Sequence, residues 1–156
     1  MACFDRVVIG GTFDYLHKGH RFLLGIAFAL GNNVTIGLTT DDFAKKNKAL
    51  TNNYSSRELA LINFLNAAGF NGRYSIIPIS DPIGPAIDDF DAIIVSEESF
   101  KGAQLVDEAR TERGKEKLIK IVVPMVLAYD KKPISSTRIR LGEIDEEGHR
   151  LERNRL

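Results

Sequence analysis

Short runs of β-branched residues alternate along this chain with longer stretches in which apolar residues recur at helical spacing. The first run, Arg6 to Ile9, ends at a pair of glycines and precedes a helical pattern that extends from about Gly19 to Leu30. An apolar run closed by glycine predicts a strand and a turn, and the amphipathic stretch predicts a helix. The pattern continues with predicted strands at 34–38, 73–79, 91–96 and 118–123 and predicted helices at 55–67 and 102–113.

Almost every position of the predicted strands is apolar, so both faces of each strand are expected to be buried. Such strands, separated by helices, predict a parallel sheet covered by helices on both sides. We therefore expect a Rossmann-like α/β fold with five parallel strands. A chain of 156 residues has the size of one domain, which is expected to span residues 1–156. Residues 143–156, mostly charged or small, are expected to form a poorly packed tail.

The charged residues narrow the range of partners. Lysine plus arginine and aspartate plus glutamate both total 21, so the formal net charge is zero. A neutral chain has no general attraction for nucleic acid or for an acidic membrane, and no segment is long and apolar enough to span a bilayer. The one cysteine, Cys3, excludes an intrachain disulfide. These features predict a cytoplasmic protein and leave its oligomeric state open.

A polar segment rich in lysine and asparagine, residues 41–54, separates the second predicted strand from its helix. Because it is too long for a simple connection, we expect a mobile loop that contacts substrate. Three lysines, Lys45, Lys46 and Lys48, lie in this segment at the edge of the sheet where a ligand is expected.

The most informative segment is the turn after the first strand, which reads Gly-Gly-Thr-Phe-Asp-Tyr-Leu-His-Lys-Gly-His from Gly10 to His20. Ligands of open parallel sheets bind beyond the carboxyl ends of the strands. The spacing matches neither the G-x-x-x-x-G-K-[ST] phosphate loop nor the G-x-G-x-x-G dinucleotide motif. Instead, it places His17 and His20 three residues apart at a helix start, on one face and over free backbone N–H groups.

This arrangement predicts an anion site. Gly19 removes a side chain where a phosphate would approach the backbone, and Thr12 adds a hydroxyl donor. Such groups suit attack on a phosphorus atom, a reaction in which positioning and stabilisation of negative charge dominate. A zinc site is disfavoured, because no cysteine or closely placed histidine completes a tetrahedral set around His17 and His20.

A second segment, Ile-Ser-Ser-Thr-Arg-Ile-Arg at residues 134–140, follows the last predicted strand. Three hydroxyl residues open a helix that then presents Arg138 and Arg140. Hydroxyl donors and free N–H groups at a helix start, together with guanidinium groups, form a second phosphate cradle. Taken alone, the segment is equally compatible with an N-cap followed by surface arginines.

Two further positions leave their roles open. Arg57, at the start of a predicted helix, is compatible with anion binding or with a surface position. Asp81 lies after the third predicted strand, in the turn Ser-Asp-Pro-Ile-Gly-Pro-Ala at the same rim of the sheet. The proline and glycine of this turn could be purely structural.

Both motifs carry a resemblance to a known family. Gly-Thr-Phe-Asp and His-Lys-Gly-His in the first turn resemble the T/H-x-G-H signature of the nucleotidyltransferase superfamily, and residues 134–140 resemble its I-S-S-T-x-x-R signature. With Asp-Pro-Ile-Gly-Pro-Ala and Val-Ser-Glu-Glu between them, the chain is similar almost throughout to phosphopantetheine adenylyltransferases of the archaeal and eukaryotic type. The bacterial branch has threonine in place of the first histidine, so its pocket contacts and hexameric assembly are not transferred.

The resemblance implies transfer of an adenylyl group from ATP to 4′-phosphopantetheine, which gives dephospho-coenzyme A and pyrophosphate with the help of Mg²⁺. In this family the substrate phosphate attacks the α-phosphorus of ATP directly. Mg²⁺ is expected to bind mainly through the ATP phosphates and water, and no residue is assigned as its ligand.

The resemblance also implies roles for particular residues. The catalytic groups are expected to be His17, His20, Thr12 and Lys45, with Lys46 as the competing choice of lysine. The nucleotide is expected to contact Gly10, Gly11, Phe13, His20, Ser135, Ser136, Thr137 and Arg138. The phosphopantetheine substrate is expected to contact Thr12, Lys45, Arg57 and Asp81.

Two rival interpretations remain at this point. Another transferase of the superfamily, using CTP or a different phosphate acceptor, would keep both signatures. A non-catalytic nucleotide-binding or sensing module would keep the phosphate cradle and lose the groups that stabilise the transition state. The presence of both His17 and His20 argues against the second rival.

Overall fold

The computed structural model of the protein describes residues 2–46 and 48–152. Over these residues the elements are β1 (Phe4–Gly11), α1 (Lys18–Leu30), β2 (Gly31–Thr39), α2 (Asp41–Lys45), α3 (Tyr54–Ala67), β3 (Tyr74–Ile79), a 3₁₀ turn (Gly84–Ile87), β4 (Ala92–Ser96), α4 (Phe100–Glu112), β5 (Ile119–Val123) and α5 (Ser136–Arg140). The predicted strands and long helices are all present. Within the same ranges, no helix combines the length and apolar character needed to cross a membrane.

The strands are all parallel and lie in the order β3-β2-β1-β4-β5. Ile9 of β1 pairs with Ile36 of β2 on one side and with Ile94 of β4 on the other. The order of the strands therefore reverses between β1 and β4, and in open α/β sheets a ligand crevice forms at such a point. This Rossmann-like sheet, in a single domain, confirms the predicted fold class.

Each face of the sheet carries its own core, because successive residues of a strand point to opposite faces. Ile9 belongs to the larger core, which α1 and α3 cover with residues such as Leu24 and Leu61. Val8 belongs to the second core, to which α4 contributes Val106. All five side chains are nearly inaccessible to solvent. Helices thus cover both faces, which explains the nearly continuous apolar character of the strands.

The segment between β2 and α3 is more structured than the predicted mobile loop. Thr40 caps α2, because its hydroxyl oxygen accepts a hydrogen bond from the amide of Phe43 at 3.2 Å. At the far end, the amides of Thr51 and Asn52 donate to the carboxylate of Asp14 at 3.0 and 2.8 Å. A helix of five residues is too short to leave an apolar period in the sequence, so the polar composition dominated the prediction.

The C-terminal segment corrects the prediction of a poorly packed tail. Ile144 is fully buried in a small core that includes Ala128. The carbonyl of Glu146 accepts a hydrogen bond at 2.8 Å from the amide of Lys18, the first residue of α1. One buried isoleucine and specific backbone hydrogen bonds therefore anchor a segment whose average composition is charged. Residues 153–156 lie outside the described part of the chain.

Candidate active site

A cavity of about 460 Å³ opens at the carboxyl ends of the central strands. The turn after β1, the start of α1, the segments after β4 and β5 and the start of α5 all contribute to it. Its lining includes nine of the predicted site residues: Gly10, Gly11, Thr12, Phe13, His17, His20, Ser135, Ser136 and Thr137. Residues of both sequence motifs, which lie near opposite ends of the chain, thus face one cavity.

The turn between β1 and α1 depends on Gly11. Phe13 is buried and adopts a positive φ of 49°. A Cβ atom on Gly11 would lie only 2.9 Å from the Phe13 ring. The same ring contacts the imidazole of His20 edge-on, with 5.0 Å between the ring centroids. Gly11 is therefore required by packing, and Phe13 supports one of the two histidines.

His17 caps the N-terminus of α1. Its Nδ1 accepts a hydrogen bond from the amide of His20 at 3.3 Å, so in the neutral ring the proton lies on Nε2. A Cβ atom on Gly19 would lie 2.9 Å from the His17 ring. Gly19 therefore makes room for the imidazole itself, whereas the sequence motif predicted a phosphate in that space.

His20 has the opposite tautomer. Its Nδ1 lies 2.9 Å from the carbonyl oxygen of Tyr15, and a carbonyl can only accept, so Nδ1 carries the proton. The amide of His17 approaches the same nitrogen at the longer distance of 3.4 Å and finds no lone pair there. The two rings stack with centroids 3.7 Å apart. They differ at Nε2, which is an N–H group in His17 and a lone pair in His20.

Both imidazoles are held neutral near pH 7. Burial, assisted by the positive charge of Arg21, lowers the pKa of His17 to about 4. Burial also lowers the pKa of His20 to about 3, and His17 and Lys48 act in the same direction. A bound anion would oppose this effect, because nearby negative charge favours the protonated ring.

The start of α5 meets the first motif through its hydroxyl groups. Ser135 is the N-cap of the helix, and its Oγ accepts a hydrogen bond from the amide of Arg138 at 3.2 Å. The Oγ atom of Ser136 accepts from the amide of Tyr15 at 3.3 Å, across 121 positions of sequence. Thr137 is exposed and also lines the cavity. The two predicted phosphate cradles are therefore joined directly.

The two arginines of α5 have different surroundings. Arg140 lines the cavity, and its Nη2 lies 2.7 Å from the carboxylate of Asp14. Arg138, which was expected to contact the nucleotide, is absent from the described lining of the cavity, and its guanidinium pairs with Asp130 and Glu143. The structure therefore places Arg140 in the position expected for Arg138. The I-S-S-T-x-x-R spacing ends at Arg140 and could have identified it.

Asp14 connects the turn after β1 with the segment before α3 and with α5. It is 6% exposed, and its carboxylate accepts hydrogen bonds from the amides of Thr51 and Asn52 and from Arg140. Burial alone would raise the pKa of Asp14, but these hydrogen bonds outweigh it and hold the pKa below its usual value. Asp14 is therefore a buried anion that fixes its neighbours.

The lysines after β2 are arranged differently from the prediction. Lys45 and Lys46 are exposed at the end of α2, and neither belongs to the described lining of the cavity. Lys48 does line it, and its ammonium lies 3.8 Å from the carboxylate of Glu98. Without knowledge of α2, sequence spacing could not distinguish among the three lysines.

Arg57 and Asp81 make internal contacts. Arg57 is 1% exposed, and its guanidinium donates to the carbonyl groups of Thr12 and Asn52 and to the carboxylate of Asp41. A surface position for Arg57 is therefore wrong for this structure, whereas its contact with a substrate anion stays a prediction. The carboxylate of Asp81 accepts from two amides of the turn that follows it, which indicates a structural role.

Comparison with known proteins identifies the family. The model of cytidylyltransferase-like proteins matches residues 8–142. A phosphopantetheine adenylyltransferase of Pyrococcus abyssi is 46% identical over 98% of this chain and 99% of its own length. Another, of Methanopyrus kandleri, is 42% identical over 94% of each chain. The chain belongs to the phosphopantetheine adenylyltransferase branch of the cytidylyltransferase-like family.

The fold of this adenylyltransferase family member also has a close counterpart among solved structures. A crystal structure of a protein with unknown function from Archaeoglobus fulgidus superposes with a TM-score of 0.72 at 29% identity, and covers 83% of this chain and 99% of that chain. The family resemblance suggested by the two motifs is confirmed.

The adenylyltransferase site contains no ready-made metal centre in the described ranges. No group of three or more His, Cys, Asp or Glu side chains that could hold a metal occurs in residues 2–46 and 48–152. Asp14 and Asp41, the acids near the turn after β1 and the end of β2, are paired with Arg140 and Arg57. Mg²⁺ commonly binds through substrate oxygens, water and one or two carboxylates, and such binding needs no group of this kind.

Proposed function

We propose that this protein transfers the adenylyl group of ATP to 4′-phosphopantetheine and releases pyrophosphate and dephospho-coenzyme A. The observation that carries the proposal is the convergence of two imidazoles with three hydroxyl residues, Ser135 to Thr137, around one cavity. This convergence occurs in a chain 46% identical to a named phosphopantetheine adenylyltransferase. The cytoplasm stays the expected site of the reaction.

The protein contributes positioning and charge stabilisation. In the proposed reaction an oxygen of the substrate phosphate attacks the α-phosphorus of ATP in line with the departing pyrophosphate, and no bond forms to the protein. The hydroxyl groups at the start of α5 and the guanidinium of Arg140 hold the phosphates of ATP by charge-assisted hydrogen bonds. Mg²⁺, when bound to the triphosphate, neutralises part of its charge, and no residue of the chain is proposed as its ligand.

The two imidazoles act in different ways. His17 already carries a proton on Nε2 and can donate it in a hydrogen bond to a phosphate oxygen. His20 becomes a donor only after taking up a proton at Nε2, which the charge of the triphosphate favours by raising its pKa from the resting value of about 3. The protonated ring then stabilises the negative charge that develops around the α-phosphorus.

A second cavity, of about 240 Å³, adjoins the first and suits the pantetheine arm. Gly10 and Gly11 line both cavities, so groups bound in the two meet at the end of β1. Apolar side chains such as Phe43, Ile79 and Ile83 form much of the second lining. A long uncharged chain that ends in a phosphate would place its arm there and its phosphate near Thr12.

The proposal is tested by incubating the purified protein with ATP, Mg²⁺ and 4′-phosphopantetheine. We expect equal amounts of pyrophosphate, followed by a coupled assay, and dephospho-coenzyme A, identified by mass spectrometry. Omission of 4′-phosphopantetheine should abolish both products. A folded protein that binds ATP and releases no pyrophosphate would instead be a nucleotide-binding module.

A matched reaction with CTP tests the remaining rival. The matching family model is named for cytidylyltransferases, so the identity of the base is a real alternative. We expect ATP to be strongly preferred. Faster pyrophosphate release from CTP would replace the adenylyltransferase assignment with a cytidylyltransferase.

A further inference from the structure

Thr12 stands at the end of a chain of hydrogen bonds that begins at a buried arginine. The Nη1 atom of Arg57 lies 3.3 Å from the Oγ1 atom of Thr39, and that hydroxyl donates to the Oγ1 atom of Thr12 at 3.0 Å. Arg57 is 1% exposed and Thr39 is 6% exposed. Arg57 is therefore shielded from water, Thr39 is nearly buried at the wall of the second cavity, and Thr12 lines the first cavity.

The chemistry of the three groups gives this chain a direction. A guanidinium N–H can only donate, so the hydroxyl oxygen of Thr39 accepts from Arg57. A hydroxyl has one proton, and Thr39 directs it to the oxygen of Thr12. The Thr12 oxygen is thus an acceptor on its protein side, and its own proton is left to donate to a group in the cavity.

The guanidinium at the head of the chain is fixed from several sides. Its Nε donates to the carbonyl of Asn52 at 2.9 Å, and its Nη2 pairs with Asp41 at 2.7 Å. The Nη1 atom also donates to the carbonyl of Thr12 at 2.9 Å. A buried guanidinium is costly unless its donors are paired, and these partners satisfy it. Arg57 thereby holds both the backbone of Thr12 and, through Thr39, the direction of its hydroxyl.

We propose that Thr39 is a positioning residue that sets the Thr12 hydroxyl as a hydrogen-bond donor to a phosphate oxygen of the substrate. The inference rests on the proposed function. A phosphate oxygen offers only lone pairs, so it is attracted by the Thr12 O–H and would be repelled by a Thr12 oxygen that presented a lone pair. The proton stays on Thr12 throughout, and no covalent bond to either threonine forms or breaks.

The test uses the full chain and a small set of variants. Thr39→Val removes the hydroxyl with nearly unchanged shape, and Thr39→Ser keeps the hydroxyl. Thr12→Val removes the final donor. Thr35→Val is the matched control, because Thr35 lies in the same strand and belongs to the described lining of neither cavity.

We expect Thr39→Val to lower kcat/KM for 4′-phosphopantetheine about tenfold, the usual order for one hydrogen bond. For Thr39→Ser this kcat/KM should remain within about twofold of the wild-type value, because serine keeps the hydroxyl. For Thr35→Val it should equal the wild-type value, because the hydrogen-bond chain is untouched. The double variant Thr12→Val/Thr39→Val should be no slower than Thr12→Val alone, because Thr39 acts only through Thr12. If Thr39→Val did not fold, as judged from its thermal melt, Thr39→Ala would take its place in the same cycle.

Three results would overturn the inference: a wild-type rate for Thr39→Val, a serine variant as slow as the valine variant, or losses that multiply in the double variant. A wild-type protein without any turnover would remove the proposed function instead. The ATP affinities of the wild type, Thr12→Val, Thr39→Val and the double variant would then be measured by calorimetry. A loss shared by Thr12→Val and Thr39→Val that does not add in the double variant would support the hydrogen-bond chain, and additive or absent losses would overturn it.

Discussion

The two segments that supply the cavity are held in place over very different distances along the chain. In the turn between β1 and α1, the hydrogen bonds that the two imidazole rings make join residues at most five positions apart. The start of α5 instead depends on contacts such as that between Arg140 and Asp14, which lie 126 positions apart. The two histidines therefore depend mainly on neighbours in sequence, whereas Arg140 depends on a partner that only the folded chain brings to it.

The largest effect is expected in the local cluster. Replacing His20 by alanine removes a donor to the transition state, which typically costs about 3–4 kcal/mol, or roughly 10²–10³-fold in kcat. ATP affinity should change far less, because the interaction strengthens only as charge develops. Steady-state kinetics and calorimetric ATP titration measure the two quantities separately. Phe22→Ala, on the exposed side of the same helix, is the control, and an unchanged kcat for His20→Ala would remove its catalytic role.

The same cluster predicts how stability depends on pH. The pKa values of His17 and His20 are about 4 and about 3 in the folded protein, below the ordinary value of 6.5. Below pH 6.5 the unfolded chain therefore binds more protons than the folded one. The free energy of unfolding should fall from that pH down to about pH 4, by up to about 1.4 kcal/mol per pH unit for each histidine.

Urea unfolding between about pH 5 and 7 measures how the free energy of unfolding changes with pH. This range lies above the pH at which carboxylates ordinarily titrate, so the histidines dominate the change. The matched variant is His17→Asn, since asparagine keeps a side-chain acceptor for the amide of His20 and does not titrate. Its slope should be smaller than that of the wild type. Equal slopes would mean that the His17 ring is not held neutral by the fold.

The contrast between local and long-range contacts also explains what the sequence could predict. Strand and helix periods are local, as is the motif that contains His17 and His20, so the fold and this half of the site were predictable. Arg138 was preferred to Arg140 because it directly follows the hydroxyl residues, and the sequence does not show that Asp130 and Glu143, eight and five positions away, pair with its guanidinium. Arg57 was misplaced because charged residues are usually exposed, and its partners come from three other segments.

The two arginines of α5 allow a long-range contact, that of Arg140 with Asp14, to be compared with the local ion pairs of Arg138. Arg140→Ala removes a guanidinium from the cavity and should raise the KM for ATP about tenfold or more, as expected for a charge-assisted contact. Arg138→Ala breaks pairs outside the cavity, so it should leave that KM within about twofold and lower the melting temperature. Initial rates at varied ATP, with a thermal melt of each variant, compare them. A greater rise in KM for Arg138→Ala would reverse the assignment.

The smallest effect is expected for the lysines after β2. The side chains of Lys48 and Glu98 are 67% and 64% exposed, so their ion pair contributes little and a phosphate can displace the carboxylate. Lys48→Ala should raise the KM for a phosphorylated substrate by roughly three- to fivefold, in keeping with an exposed charge pair. Lys45→Ala should change it less, because Lys45 does not belong to the described lining of the cavity.

Ionic strength provides the sharper measurement for this last prediction. An exposed ammonium interacts with phosphate through solvent, so salt screens the interaction. The difference in KM between wild type and Lys48→Ala should therefore shrink as salt is raised from about 0.01 to 0.15 M, because the Debye length falls from about 30 to about 8 Å. A difference that persists at high salt would mean that Lys48 is shielded in the complex. Lys45→Ala could instead raise the KM for 4′-phosphopantetheine more than Lys48→Ala does. In that case α2 would have to shift toward the cavity when substrate binds. Lys45, the lysine suggested by the family resemblance, would then be the functional one.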